Sequence, residues 1–260
     1  MNRPYVRVLG SADWHVTAFN DNSCYTIDDR ILIDACPSAL ISLLNAGVDP
    51  TQVSTICFTH LHADHCMGLP ALLHYWRVVK SSLGGLTIVG PKATVRAAVD
   101  RALQYIFHDC RDVRAEIAEF PNIVELEGDC VLDLPDYRIA AMNSDHAVPG
   151  LCYRITDKAT GRTVGLTGDT YYQAKYGAFF RGVDLLVHEC SYGPGPLDDF
   201  ATVCRHSSAR EAADVANESG ARRLMLTHTY EPKREAALAE ARRRTAIPVL
   251  WATPFTPVEF

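Results

Sequence analysis

The chain has no apolar run long enough to span a bilayer, no Ser/Gly-rich linker or low-complexity tract, no sustained internal repeat and no Cys-x-x-Cys pair. The first absence argues against a membrane-spanning helix. Without a linker or repeat nothing divides the 260 residues, so one domain over residues 1–260 is expected. Positive charge is also scarce: 25 Lys+Arg stand against 31 Asp+Glu, a formal net charge of -6. A surface that tracks phosphates needs a local excess of cations, so this balance argues against a general polyanion binder and against stable nucleic-acid binding. The nine cysteines are odd in number and sit mostly among apolar residues, as small buried hydrophobes do. They fit a reducing compartment. Because Met1-Asn2-Arg3-Pro4-Tyr5 leads into a short alternating segment and not into a secretory apolar stretch, a cytoplasmic protein is expected. With 48% hydrophobic and 22% charged residues, the chain can bury a full core, which excludes a disordered class.

Short alternating or apolar runs at Tyr5–Leu9, Cys24–Ile27 and Arg30–Asp34 predict strands, the last two joined across Asp28-Asp29 as a tight hairpin. A helix is expected from Pro37 to Asn45 with Gly47 as its stop, then a buried strand Ser54–Phe58 ending at a histidine cluster. Gly68–Val79 and Lys92–Phe107 read as helices, separated by a strand at Leu86–Val89. In the second half, Ile123–Leu126, Tyr137–Met142, Cys152–Thr156, Thr163–Leu166, Val183–Val187, Arg223–Thr227 and Val249–Trp251 read as strands. Ser208-Ala209-Arg210-Glu211 has capping-box spacing and opens a helix that ends at Gly220, and a charged helix follows over Pro232–Arg244. Two similar halves of mixed strands and helices predict an α/β protein of two packed sheets with helices outside.

Chemistry concentrates in Thr59-His60-Leu61-His62-Ala63-Asp64-His65, at the end of a predicted strand and just before a helix. In an extended stretch residues two apart share a face, so His60 and His62 can aim at one ion, while the following turn sends Asp64 and His65 toward a second. A zinc-type site needs further ligands, and three candidates stand where predicted strands end: His146, Asp169 in Gly168-Asp169, and His228. Singly, each has an ordinary reading as a surface, core or turn residue; together with the cluster they form a ligand set.

This pattern resembles the metallo-β-lactamase superfamily, whose His-x-His-x-Asp-His motif is followed by a distant His, an Asp and a final His. The resemblance runs in order from residue 5 to residue 252 and implies a four-layer αββα sandwich with metals at one edge. It implies that His60, His62 and His146 hold one divalent ion, that Asp64, His65 and His228 hold another, and that Asp169 bridges them. Histidine and carboxylate donors suit zinc, and also manganese or iron. Such a pair makes a positive pocket in which a bridging hydroxide forms near neutral pH and attacks phosphorus or a carbonyl, with Asp64 orienting it. Leu185-Leu186-Val187-His188-Glu189 and His206-Ser207-Ser208 further resemble ribonuclease Z and its phosphodiesterase relatives, in which a Glu supports a His that protonates the leaving oxygen. By that resemblance Glu189 orients His206, and the catalytic set is Asp64, His206 and Glu189. An alkoxide leaves slowly without such a donor.

The tRNA-processing members of that branch carry a long tRNA-gripping arm between the positions of His146 and Asp169. Here only Ala147–Gly168 intervene, enough for two strands and a turn. That departure favours a small or cyclic phosphodiester over tRNA 3′-end processing. An arylsulfatase-like or lactonase-like hydrolase on the same ions is the alternative, one in which His206 matters less. Asp109–Glu119 is expected as a lid or dimer face, and the family allows a homodimer. Trp14, Tyr171, Tyr172 and Tyr192 are candidate walls for a base or aryl group. His74 and His108 read as packed or solvated, and Arg242-Arg243-Arg244 as the solvated cationic end of a helix.

Overall fold

In a computed structural model the described residues are 3–108, 119–197 and 199–260. The expected Asp109–Glu119 lid or dimer face lies almost wholly outside them. Among the described residues, two seven-stranded sheets form the centre of the molecule. The first contains β1 (Tyr5–Gly10), β2 (Cys24–Ile27), β3 (Ile31–Ile33), β4 (Thr55–Cys57), β5 (Thr87–Pro91) and β6 (Asn122–Leu126) in chain order. The second contains β7 (Cys130–Asp133), β8 (Tyr137–Asn143), β9 (Leu151–Asp157), β10 (Thr163–Leu166), β11 (Leu185–Glu189), β12 (Leu224–Thr227) and β13 (Val249–Trp251), each next to the strand it follows. The last strand, β14 (Pro257–Glu259), returns to the first sheet and pairs antiparallel with β1.

Both faces of each central strand are buried, and the pleat divides their side chains between two cores. Ile31, Ile33, Cys57, Leu185, Val187 and Met225 pack between the sheets. Leu32, Ile56 and Phe58 point the other way, under α1 (Ala39–Asn45), α3 (Leu69–Lys80) and α4 (Val95–Ile106). Leu186, Leu224 and Leu226 likewise meet α7 (Ala209–Ser219) and α8 (Arg234–Arg244). The layers are therefore helix, sheet, sheet, helix, the αββα sandwich that the sequence predicted. The remaining helices are short: α2 (Ala63–Cys66), α5 (Lys175–Phe179) and α6 (Asp199–Cys204). None of the described helices is long and apolar enough to cross a membrane.

Several elements differ from the sequence expectation. The Lys92–Phe107 helix begins at Val95, because β5 runs on to Pro91 and Ala93 takes a left-handed φ of 64°, which no helix continues through. The sequence did not indicate β7 or β14; both are short edge strands of three or four residues whose side chains are half-buried or exposed. The Asp28-Asp29 hairpin is present, with φ of 50° and 56° at the two turn residues, the left-handed pair that a two-residue turn between twisted strands demands. Strands β3, β4, β5 and β6 run parallel, as do β10, β11, β12 and β13. Their carboxyl ends open the cleft in which such architectures place ligands.

Candidate metal centre

Five loops leave these strand ends and converge. Past β4 the chain stays extended through His62 (ψ 156°), then closes into the single turn of α2, which carries Asp64 and His65 toward His228. After β10, Gly168 takes φ 58°, and a Cβ there would stand 2.6 Å from the Thr59 side chain, so glycine lets the Asp169 loop close against the histidine loop. His228 follows β12 with φ 52°, its N–H donating to the Ser11 carbonyl at 2.8 Å. A non-glycine residue in that region is uncommon and clusters at functional sites.

All seven proposed ligands come together. His60, His62 and His146 form one group of donors, and Asp64, His65 and His228 another. In the first, His62 Nδ1 lies 3.0 Å from His60 Nε2 and 3.1 Å from His146 Nε2. In the second, His65 Nε2 and His228 Nε2 are 3.4 Å apart, and Asp64 Oδ2 lies 3.4 Å and 3.5 Å from them. Asp169 Oδ2 lies 3.5 Å and 3.4 Å from the same two nitrogens and 3.7 Å from His60 Nε2, so it faces both groups. A tetrahedron with edges of this size has its centre about 2.1 Å from each corner, a zinc–nitrogen or zinc–carboxylate distance. The donor set therefore fits a divalent ion by size as well as by type.

Outer partners fix which nitrogen faces inward for His60, His65, His146 and His228. Asp34 is the main anchor: Oδ2 meets His65 Nδ1 at 2.8 Å and accepts from Thr59 Oγ1 at 2.7 Å, while Oδ1 accepts the Thr59 N–H at 2.7 Å. Thr59 Oγ1 in turn reaches His60 Nδ1 at 3.2 Å. The Arg205 carbonyl holds His146 Nδ1 at 3.2 Å, and Ser191 Oγ holds His228 Nδ1 at 2.8 Å. Sequence reading missed Asp34 and Ser191. Asp34 could have been suspected as a lone carboxylate at the end of an apolar strand; Ser191 gave no such signal.

Burial penalises charge on His60, and the neighbouring His65 adds to this, so its imidazole stays well below its ordinary value and keeps a free lone pair. Burial also opposes the Asp169 charge, but His228 and His65 outweigh it and hold that carboxyl well below the usual range. Glu189 is buried and fully satisfied. Oε1 accepts from the N–H groups of Thr170 and Ser207 and meets His206 Nδ1, each at 3.0 Å, while Oε2 accepts from Ser191 N at 2.9 Å and Ser191 Oγ at 2.7 Å. Burial disfavours the His206 imidazolium, yet the Glu189 charge and hydrogen bond overcome this and push it up to about 9. His206 Nδ1 lies 3.9 Å from Asp169 Oδ2, so this pair borders the donor groups.

Other expected walls separate. Tyr192 lies beside His206, with ring centroids 6.4 Å apart, whereas the Tyr172 hydroxyl donates to Glu218 at 2.6 Å and its ring packs into the helix-covered core. Tyr172 is thus no wall of the site; Glu218 on α7 draws it outward. His74 and His108 are exposed and stand apart from the donor groups, as expected. Arg243 and Arg244 pair with Glu240, and Arg244 also with Asp214, so much of the cationic helix end is engaged within the chain.

A family model described as "Beta-lactamase superfamily domain" matches residues 29–229, and the chain belongs to that superfamily, as a metallo-β-lactamase-fold hydrolase related to ribonuclease Z. Ribonuclease Z of Geobacillus kaustophilus is 28% identical over an alignment covering 81% of this chain and 82% of the relative. Ribonuclease Z of Methanothermobacter thermautotrophicus is 26% identical, covering 76% and 77%. Among solved structures, the metallo-β-lactamase fold protein YhfI from Bacillus subtilis superposes with a TM-score of 0.81 at 23% identity over 100% of both chains. The short form of human tRNase Z gives a TM-score of 0.75 at 21% identity over 98% of each.

Proposed function

We propose that the chain is a dinuclear metal-dependent phosphodiesterase acting on a small or cyclic phosphodiester or an RNA end, with residues 1–260 as one hydrolase domain. His60, His62 and His146 would hold one ion and Asp64, His65 and His228 the other, with Asp169 between them; zinc suits these donors, as do manganese and iron. When bound, such a pair supplies positive charge that acidifies water and neutralises phosphoryl oxygens. Asp64, partly open to solvent, orients the nucleophile through its carboxylate. His206 donates the proton that the leaving oxygen needs. Its Nδ1–H is committed to Glu189, so the proton it gives up comes from Nε2. The eight described cysteines are free, which supports a reducing, cytoplasmic location.

The observation that carries this reading is the buried Glu189–His206 pair beside the metal donors. Aryl sulfate hydrolysis on the same centre has less use for a supported acid, because an aryloxide departs without one; a lactone also expels an alkoxide and is told apart by substrate preference. The ribonuclease Z relatives favour tRNA 3′ cleavage as a second reading. Against it, β9 and β10 form a direct hairpin, which leaves no arm between His146 and Asp169. In the test, His206→Ala should slow a 2′,3′-cyclic nucleotide by about 10²–10⁴-fold and bis(p-nitrophenyl) phosphate far less. Equal slowing would remove His206 from the acid role. Faster wild-type turnover of an aryl sulfate or acyl-homoserine lactone than of any diester would replace the phosphodiester reading.

A further inference from the structure

We propose that Trp14, His15 and Tyr230 form a stacking platform that receives a nucleobase of the substrate; the inference rests on the phosphodiesterase reading and narrows its substrate class to nucleotides. Trp14 is 66% exposed and Tyr230 40%, while the other two tryptophans, Trp76 and Trp251, are buried. Scattered surface aromatics are common, but this cluster is built. Asp13, itself buried, accepts from the His15 N–H at 2.8 Å and lies 3.0 Å from His15 Nδ1. With the Nδ1 proton directed at Asp13, His15 Nε2 keeps a lone pair, and it accepts from Trp14 Nε1–H at 3.2 Å. The indole is therefore held by its edge, and both faces are spared that role. His15 packs on Tyr230 with ring centroids 4.4 Å apart and planes 38° from parallel.

The platform is tied to the metal centre from both sides. Ser11, two residues before Asp13, accepts the N–H of His228 through its carbonyl, and Tyr230 lies two residues beyond His228. The Asn22 side chain donates to the Asp13 carbonyl, and Asn20 Oδ1 accepts the Ser11 N–H at 2.9 Å, so the loop is pinned at its base. These links place the aromatic cluster on the loops that carry His228. Because the indole N–H is already used, recognition is through the π face, which every nucleobase offers and an aliphatic alcohol lacks. Fixing the aromatic residues beforehand lowers the entropy lost on binding.

Binding is read by isothermal titration calorimetry, which needs no fluorophore and serves wild type and the Trp14 variants alike. The metal-loaded protein is titrated with AMP, phenyl phosphate and ribose 5-phosphate. AMP should bind about tenfold tighter than ribose 5-phosphate. Trp14→Ala should weaken AMP by about that factor and leave ribose 5-phosphate unchanged, whereas Trp14→Phe should keep most of the AMP affinity. Equal AMP affinity in wild type and Trp14→Ala would overturn the proposal. So would tighter binding of phenyl phosphate than of AMP, which would assign the platform to simple aryl groups. Binding is read without turnover, so the two readings fail separately: selectivity for AMP in a protein that hydrolyses no diester would sink the phosphodiesterase and spare the platform.

Discussion

Ser191 joins the two halves of the candidate site through a single hydroxyl. It donates to Glu189 Oε2 at 2.7 Å and can accept from His228 Nδ1 at 2.8 Å, which leaves the His228 Nε2 lone pair facing the metal donors. Ser191→Ala should weaken metal affinity by about 10–100-fold in a chelator competition, because it frees the tautomer that Ser191 fixes. Unchanged affinity would confine Ser191 to support of Glu189. Far from the site, Asp29 accepts from Arg7 Nε and Nη2, both at 2.9 Å, and from the hydroxyls of Tyr5 at 2.8 Å and Thr26 at 2.7 Å. Burial raises its pKa, but the Arg7 hydrogen bonds and the hydroxyls outweigh burial and lower it overall. A carboxyl depressed in the folded state adds stability above its unfolded pKa of about 3.9 and loses it as pH falls through the folded value. Asp29→Asn should cost about 1.5–3 kcal/mol at pH 7. The gap to wild type in urea denaturation should narrow at pH 3; a constant gap would mean that the carboxylate charge is not its source.

Helix α7 shows how an element places a functional residue. Ser208 accepts the Arg210 N–H at 3.2 Å, and Glu211 accepts the Ser208 N–H at 2.9 Å, completing the capping box read from the sequence. The same loop carries His206 and Ser207, so the cap also fixes where His206 leaves the backbone. Ser208→Ala should cost about 1 kcal/mol and lower the melting temperature by about 2–4 °C in calorimetry. A drop well beyond that range would show that the loop, and not the helix end alone, depends on the cap. The box and its closing Gly220, at φ 62°, were legible because the signal is local. β7 and β14 were not, because an edge strand is defined by the neighbour it pairs with.

At the scale of the whole molecule, the cleft gathers four carboxylates, Asp34, Asp64, Asp169 and Glu189, with the five candidate ligand histidines and His206. Ions that bind this folded arrangement and not the open chain must stabilise it, by about 2.7 kcal/mol at a free concentration one hundred times the dissociation constant. Chelation should therefore lower the melting temperature, and added zinc should restore it. A melting temperature indifferent to both would mean that the donors hold no ion. The net charge of -6 does not preclude an anionic substrate, because two divalent ions would offset the four carboxylates and leave a protonated His206 to favour an anion locally.

The sequence by itself determined most strand positions, because apolar periodicity is a local pattern, and its His-x-His-x-Asp-His motif carried the resemblance that implied the αββα layering and the candidate ligands. Only the tertiary structure decided that Asp34 anchors His65, that Ser191 serves His228 and Glu189 together, that Tyr172 turns outward to Glu218, and that Trp14 is locked by Asp13 through His15. Except for the Asp13–His15–Trp14 chain and the Ser191–Glu189 contact, which spans two residues, these contacts join residues far apart in sequence. Even in that chain, the His15 ring also packs on Tyr230, more than two hundred positions away. Hydrogen-bond direction depends on which strand ends meet, and no local pattern encodes that meeting.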